Sequence, residues 1–173
     1  RALQFRVPGV EVISSPNVLS GNDWTFVAVT YDSTLGSNQV KFYVGNRSGA
    51  LGSPVSTGGS AGGSVPFGTA AFAYLLNRSG RDRAFDGLGD DFRIFSGALS
   101  QAQLETVRGS GLDAAVTPPA PLYQWNLNTA STSMTVAPVT GAGGVLTLQN
   151  SAGTATDLYS PIDGGVSSVT LSN

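Results

Sequence analysis

Four aspartates, Asp82, Asp86, Asp90 and Asp91, crowd residues 82–91 and form the densest set of oxygen ligands in the chain. Calcium takes about six to eight oxygens from such carboxylates and from nearby carbonyls. Asp82, Asp86 and Asp90 are therefore candidate metal ligands, and Ca2+ is the one cofactor the residues suggest. Against this, Arg78, Arg81, Arg83 and Arg93 are interleaved with the aspartates, a pattern that suits ion pairs and turn caps. Acid–base and nucleophilic chemistry has less to work with. Histidine and cysteine are both absent, which removes zinc sites, thiol nucleophiles, Ser-His-Asp triads and disulfides. The only glutamates, Glu11 and Glu105, lie far apart in sequence. A retaining glycosidase needs two carboxylates about 5 Å apart, which two glutamates so separated do not suggest, so the chain is not expected to be an enzyme. Tyr31, Tyr43 and Tyr74 are candidates for stacking a ligand at the surface. Trp24 and Trp125 sit within apolar strands and are expected in the core.

Composition narrows the partners. Charged residues are 12% of the chain, about half the usual share, and the net charge is -2. Nine scattered basic residues give no clustered footprint for nucleic acid. No apolar run approaches the roughly 20 residues of a membrane helix. A Gly-, Ser- and Thr-rich, Lys-poor chain without cysteine points to an extracellular or cell-surface protein of bacterial type. Its 173 residues suffice for one sizeable core. With no initiator Met or signal peptide, it reads as a fragment or a processed product.

The elements that must position these residues are mostly strands. Residues 24–31 are β-branched and aromatic, with both alternating faces apolar, as for a strand covered on both sides. Residues 40–44 follow after a turn, giving an antiparallel hairpin. From Gly45 to Gly63 the chain is rich in Gly and Ser and is expected to be a surface connection that adds nothing to the core. Residues 72–76 and 91–95 are further strands. Ser100 and Gln103 form a capping box, Leu99 and Leu104 a hydrophobic staple, and Gly109 a left-handed stop, which predicts a helix from Gln101 to Arg108. Thr117-Pro118-Pro119-Ala120-Pro121 is a stiff spacer. Beyond it, residues 122–127, 145–149 and 166–171 read as three alternating strands. Three strands alone leave an apolar face wet. The C-terminal piece must pack on something, and the N-terminal strands lack sheet partners of their own.

The blocks Asp23 to Asp32, Val40 to Gly45, Arg83 to Gly87 and Asp90 to Ser100 resemble the concanavalin A-like, laminin G-type family of jelly-roll domains. Ala2 to Phe5 is similar to that family's third strand, Leu122 to Leu127 to its first, and Gly164-Gly165-Val166 to the approach to the third. Two departures are Gly89, where the family usually carries an apolar residue, and the glycine-rich insertion after Tyr43. The resemblance implies an all-β, two-sheet antiparallel β-sandwich with one short helix. It also implies a rotated order: residues 1–113 as the C-terminal two-thirds of the domain, 114–121 as spacer, and 122–173 as the N-terminal third.

Three arrangements fit that order: one period of a tandem array, a circular permutant that closes on itself, or residues 120–173 of one chain completing the sandwich of the next. In the last case Leu122, Trp125, Leu146 and Leu148 would be buried in the contact. The resemblance implies a non-catalytic extracellular module for adhesion or structure, whose partners are copies of itself and, as in relatives, glycans or cell-surface glycoproteins. The other function to weigh is a discrete monomeric carbohydrate-binding module.

Overall fold

The computed structural model describes residues 1–19, 23–46, 48–60, 87–109, 119–125, 135–136, 146–147, 153–155 and 168–171. Among the described residues every strand pairing is antiparallel and there is one short helix, the element content of a concanavalin A-like β-sandwich. The chain divides into two compact units, Arg1–Thr69 with Gly97–Pro119, and Ala70–Ser96 with Ala120–Asn173.

In the first unit, β1 (Gln4–Val7) and β2 (Val10–Ile13) form a hairpin. Pro8 leads into Gly9 at φ +83, a dihedral glycine adopts without strain. Leu3 and Ser14 close the open end, with the Ser14 amide donating to the Leu3 carbonyl at 2.8 Å and the Leu3 amide to Ser14 Oγ at 2.9 Å. A second sheet contains β3 (Phe26–Tyr31), β4 (Val40–Gly45) and β5 (Ser56–Gly58), in that order. Period-2 alternation sends Val10 and Val12 from β2, and Val40 and Phe42 from β4, into one core, with Leu3, Phe5, Val7 and Tyr31 packed around it. β5 approaches β2 so closely that a Cβ on Gly58 would lie 2.7 Å from Val12 Cγ1. Glycine is required there for contact, not for conformation.

Two expectations fail in this sheet. β3 is not covered on both sides: Val27 and Val29, which share one face, are 41% and 38% exposed. The Gly/Ser-rich stretch after β4 is not a bare connection, since it supplies β5 and the buried Leu51. Small residues let β5 come close where larger side chains would have held it away.

The helix α1 (Gln101–Arg108) has the predicted ends. Ser100 Oγ accepts from the Gln103 amide at 3.2 Å, and Gln103 Oε1 accepts from the Ser100 amide at 2.9 Å. Leu99, Leu104 and Val107 are buried. The stop differs from expectation: Gly109 has φ −87, and its amide closes the last turn onto the Glu105 carbonyl without entering the left-handed region. α1 fastens the segment after β4. Gln101 Nε2 donates to the Leu51 carbonyl at 2.8 Å, and Arg108 Nη1 to the Asn46 carbonyl at 2.8 Å. Glu105 accepts from the Leu51 amide at 2.8 Å and pairs with Arg108.

The second unit holds β6 (Gly87–Gly89), β7 (Phe92–Ile94), β8 (Tyr123–Trp125), β9 (Thr135–Val136), β10 (Leu146–Thr147), β11 (Gly153–Ala155) and β12 (Ser168–Leu171). β9 pairs with β10, β12 lies between β11 and β6, and β7 pairs with β8. Strands from beyond the Pro-rich spacer thus pair with β6 and β7, which come from before it. The strand expected over residues 72–76 lies outside the described residues.

Candidate functional site

The β7–β8 junction is built from residues local to each of its two sides. Asp91, just before β7, has φ +46, a left-handed conformation that Asp tolerates better than most residues. Asp90 Oδ1 accepts from the Asp91 amide at 2.8 Å, which steadies that turn. The chain's direction then brings Arg93 back over Asp91. Arg93 Nε donates to Asp91 Oδ1 at 3.0 Å, and Arg93 Nη2 lies 2.7 Å from Asp91 Oδ2, a close ion-pair contact that is not aligned as a second hydrogen bond. The Asp91 side chain is only 2% exposed. From β8, Gln124 Nε2 donates to the same Oδ1 at 3.0 Å.

Register explains the meeting. Arg93 lies opposite Gln124, while Phe92 faces Trp125 and Ile94 faces Tyr123. Pairs directly opposite share a face, so one face of the pair carries Arg93 and Gln124 and the other is aromatic and aliphatic. On the apolar face the Tyr123 and Trp125 rings stack at 5.7 Å between centroids, 18° apart in plane. Trp125 is buried, and the Leu122 amide continues the ladder by donating to the Ile94 carbonyl at 2.7 Å.

A second feature lies in the first unit, where the start of α1 covers the loop between β3 and β4. A cavity of about 400 Å³ is lined there by Thr30, Asp32, Gln39, Lys41, Tyr43 and Gln101, among others. Gln39 is buried, and its Nε2 donates to the carbonyls of Leu35 at 2.8 Å and Ser33 at 3.3 Å. Its Oε1 is buried with no hydrogen-bond partner among the described residues. A buried acceptor left so costs about 1–3 kcal/mol. Asp32 Oδ1 accepts from the Thr34 hydroxyl at 2.6 Å and the Thr34 amide at 2.9 Å. Those bonds hold its carboxyl below the ordinary range, with a smaller contribution from Lys41. Burial pushes the Tyr43 hydroxyl up. The cavity offers donors and acceptors to a small polar group, and no paired nucleophile and base.

The described residues include only part of the expected site set. Of the metal candidates, Asp82 and Asp86 lie outside the described residues, and one oxygen of Asp90 is taken by the Asp91 amide. Among the described residues no three of His, Cys, Asp and Glu group around a common point. Of the ligand candidates, Tyr74 lies outside the described residues. Tyr43 is buried rather than at the surface, because it shares the α1-facing side of β4, though it does line the cavity. Tyr31 is half-buried against the core, with its ring 5.4 Å from that of Phe5. Of the assembly candidates, Trp125 is 5% exposed, but Leu122 is 40% exposed, since it lies just outside the paired stretch of β8. Leu146 is in β10 and Leu148 lies outside the described residues.

The residues that hold both features together are glutamines, which sequence inspection passed over. Gln124 had one signal, a polar residue between Tyr123 and Trp125 in an alternating strand. Gln39 had none beyond its place between a turn and a strand.

The family model for laminin G-type domains of the concanavalin A-like lectin/glucanases superfamily matches residues 2–105, more than half of the chain. Comparison with curated proteins and with solved structures gives no match.

Proposed function

This chain belongs to the concanavalin A-like lectin/glucanases superfamily, and from that premise we propose that it is a non-catalytic extracellular module for structure or adhesion. Its sandwich is completed by strands from residues 120–173, and copies join by offering that segment to one another. The observation that carries this is β8: it is an integral partner of β7, and its Trp125 is buried. Burying a side chain of this kind contributes roughly 1.5–3 kcal/mol, so a donated strand brings real binding energy. Both glutamates are engaged in local structure. Glu11 accepts from Gln4 Nε2 at 2.6 Å and lies 3.5 Å from Arg6 Nε, and Glu105 is held by Arg108 and Leu51. That supports a role without catalysis. No helix among the described residues is long and apolar enough to cross a membrane.

The test is native mass by light scattering over a concentration series. Open-ended oligomers are expected, and a species fixed at 17.6 kDa at every concentration overturns the assembly. Removal of residues 120–173 is expected to abolish the oligomers and lower the melting temperature.

A second function, a discrete carbohydrate-binding module, is favoured by one observation: the cavity with the unpartnered Gln39 Oε1. Sugar hydroxyls would donate to that oxygen. Binding of saccharides to a monomer, lost in Gln39→Leu, would establish it, and no saccharide bound at millimolar concentration would end it.

A further inference from the structure

We propose that the buried Asp91–Arg93 pair is a register lock: it selects the strand that completes β7, and the strand it fits is residues 122–125 of a second copy of this chain. The proposal rests on the assembly put forward above and specifies how the donated strand is read.

The receiving half is complete before any strand arrives. Asp91 and Arg93 are two residues apart, and their hydrogen bond and ion-pair contact need nothing from β8. What β8 adds to the carboxylate is one side-chain donor, Gln124 Nε2, at 3.0 Å. The giving half is equally local, with Gln124 between Tyr123 and Trp125. A contact made of two short local patches is reproduced bond for bond when the giving patch comes from another molecule. Exchange then costs no contact, and the local concentration of giving strands decides which molecule supplies it.

The lock is needed because a backbone ladder does not choose its own register. Among the described residues β7 and β8 pair over three positions, Phe92–Ile94 with Tyr123–Trp125, and the Leu122 amide adds a bond to the Ile94 carbonyl. Backbone hydrogen bonds are the same in every register, so they discriminate poorly between alignments. A slip of one residue turns every side chain to the opposite face. Tyr123 or Trp125 would then meet Arg93, and Gln124 would enter the apolar face. A slip of two keeps the faces but sets Leu122 or Asn126 opposite Arg93. Leucine has no donor, and asparagine is one methylene shorter. Only the observed register gives Asp91 Oδ1 its second donor while burying Trp125.

The absence of cysteine makes the test clean. Full-length chains carrying Ile94→Cys are mixed with full-length chains carrying Tyr123→Cys and oxidised. Antiparallel partners lie about 4.5–5.5 Å apart at Cα, within disulfide reach. The expected product is a mixed dimer linked between positions 94 and 123. Adding Gln124→Leu to the donor chain is expected to lower its yield at least about tenfold, the value of a hydrogen bond to a charged acceptor. The recipient keeps an intact Asp91–Arg93 pair in every mixture, so an unstable recipient cannot produce that loss. A second donor series with Pro121→Cys reads the register slipped by two, and its yield relative to Tyr123→Cys should rise when Gln124 is replaced. A mixed dimer whose yield and register ignore Gln124 overturns the lock and leaves the assembly standing. No mixed dimer at all, with a chain bearing both cysteines linking internally, overturns the second-copy partner and the assembly together.

Discussion

Two arginine–carboxylate pairs, one in each compact unit, do similar work by different means. On α1, Glu105 pairs with Arg108 and holds Leu51, which is 54 residues away; before β7, Asp91 pairs with Arg93 and holds Gln124, 33 residues away. The groups they hold differ in kind. The long-range hydrogen bonds described for α1 go to main-chain atoms, the Leu51 amide and carbonyl and the Asn46 carbonyl. Every residue but proline carries those atoms, so the clamp makes little demand on the sequence it grips. Asp91 instead holds a side-chain amide, which few residues possess. The environments differ too, since the Glu105 side chain is 36% exposed and that of Asp91 2%. A half-wet clamp on backbone fastens a loop of almost any sequence, whereas a dry carboxylate facing a side-chain donor tests what has arrived.

The most damaging break in this comparison is on the apolar side of the tested strand. Trp125→Ala is expected to cost about 3–5 kcal/mol, read by chemical denaturation. Hydrogen exchange sharpens the result: the β7 amides should lose protection while those of β3 and β4 keep it. Equal loss in both would mean that the two units unfold together and cannot be compared as independent devices. Next in size is Asp91→Ala, expected to cost about 3 kcal/mol because it leaves a largely buried guanidinium and the Gln124 amide without their acceptor. Asp91→Asn should cost less, since it keeps an acceptor for Gln124 and tolerates φ +46. If the two variants are equally stable, the Gln124 bond contributes nothing and the contrast with α1 collapses.

How far the sequence revealed these devices follows from what each is made of. α1 was legible to the residue because its signals, Ser100, Gln103 and Leu99, all act within one turn. The β3–β4 hairpin was legible from alternation, though β3's exposed face was not, since apolar residues look alike whether covered or bare. β2 and β5 were missed: one is a four-residue strand after a tight turn, the other lies in a stretch whose glycines favoured a loop until contact with Val12 is considered. The β7–β8 pairing was anticipated only as a need for partners. Its register depends on a bond between residues 33 apart, which no local pattern encodes. Within the carboxylate cluster, Asp91 serves as an acceptor for Arg93 and Gln124, a role that spacing alone did not signal.

A milder break falls on the α1 clamp. Glu105→Gln should cost about 1 kcal/mol or less, as for exposed pairs generally. Its signature is the pH dependence. Arg108, and less strongly the Leu51 amide, hold the Glu105 carboxyl below its ordinary value of 4.5. A carboxyl depressed in the folded state adds stability that is fully present above its unfolded value and lost as pH falls through the folded one. Wild type should therefore lose stability relative to Glu105→Gln as pH falls below about 4.5. Asp32, also depressed, contributes in the same window but equally to both proteins, so the difference between the two curves isolates Glu105. Parallel curves would mean that the clamp's ion pair is not formed in solution.

The smallest expected effect is the most discriminating for strand recognition. Leu122 adjoins Tyr123 in sequence and donates its amide to Ile94, yet its side chain is 40% exposed. Leu122→Ser should change stability by no more than about 0.5 kcal/mol, as for surface positions without special contacts, and should leave mixed-chain cross-linking unchanged. The amide bond survives the substitution, so any loss must come from the side chain. A cost near that of Trp125→Ala would show that Leu122 is covered in solution by something beyond the residues around it here. In assembled material that cover would be a neighbouring molecule, and comparing the variant at low and high protein concentration would reveal it. A cost that appears only in the oligomer assigns Leu122 to the contact between copies, whereas no cost at any concentration confines strand recognition to Gln124 and Trp125.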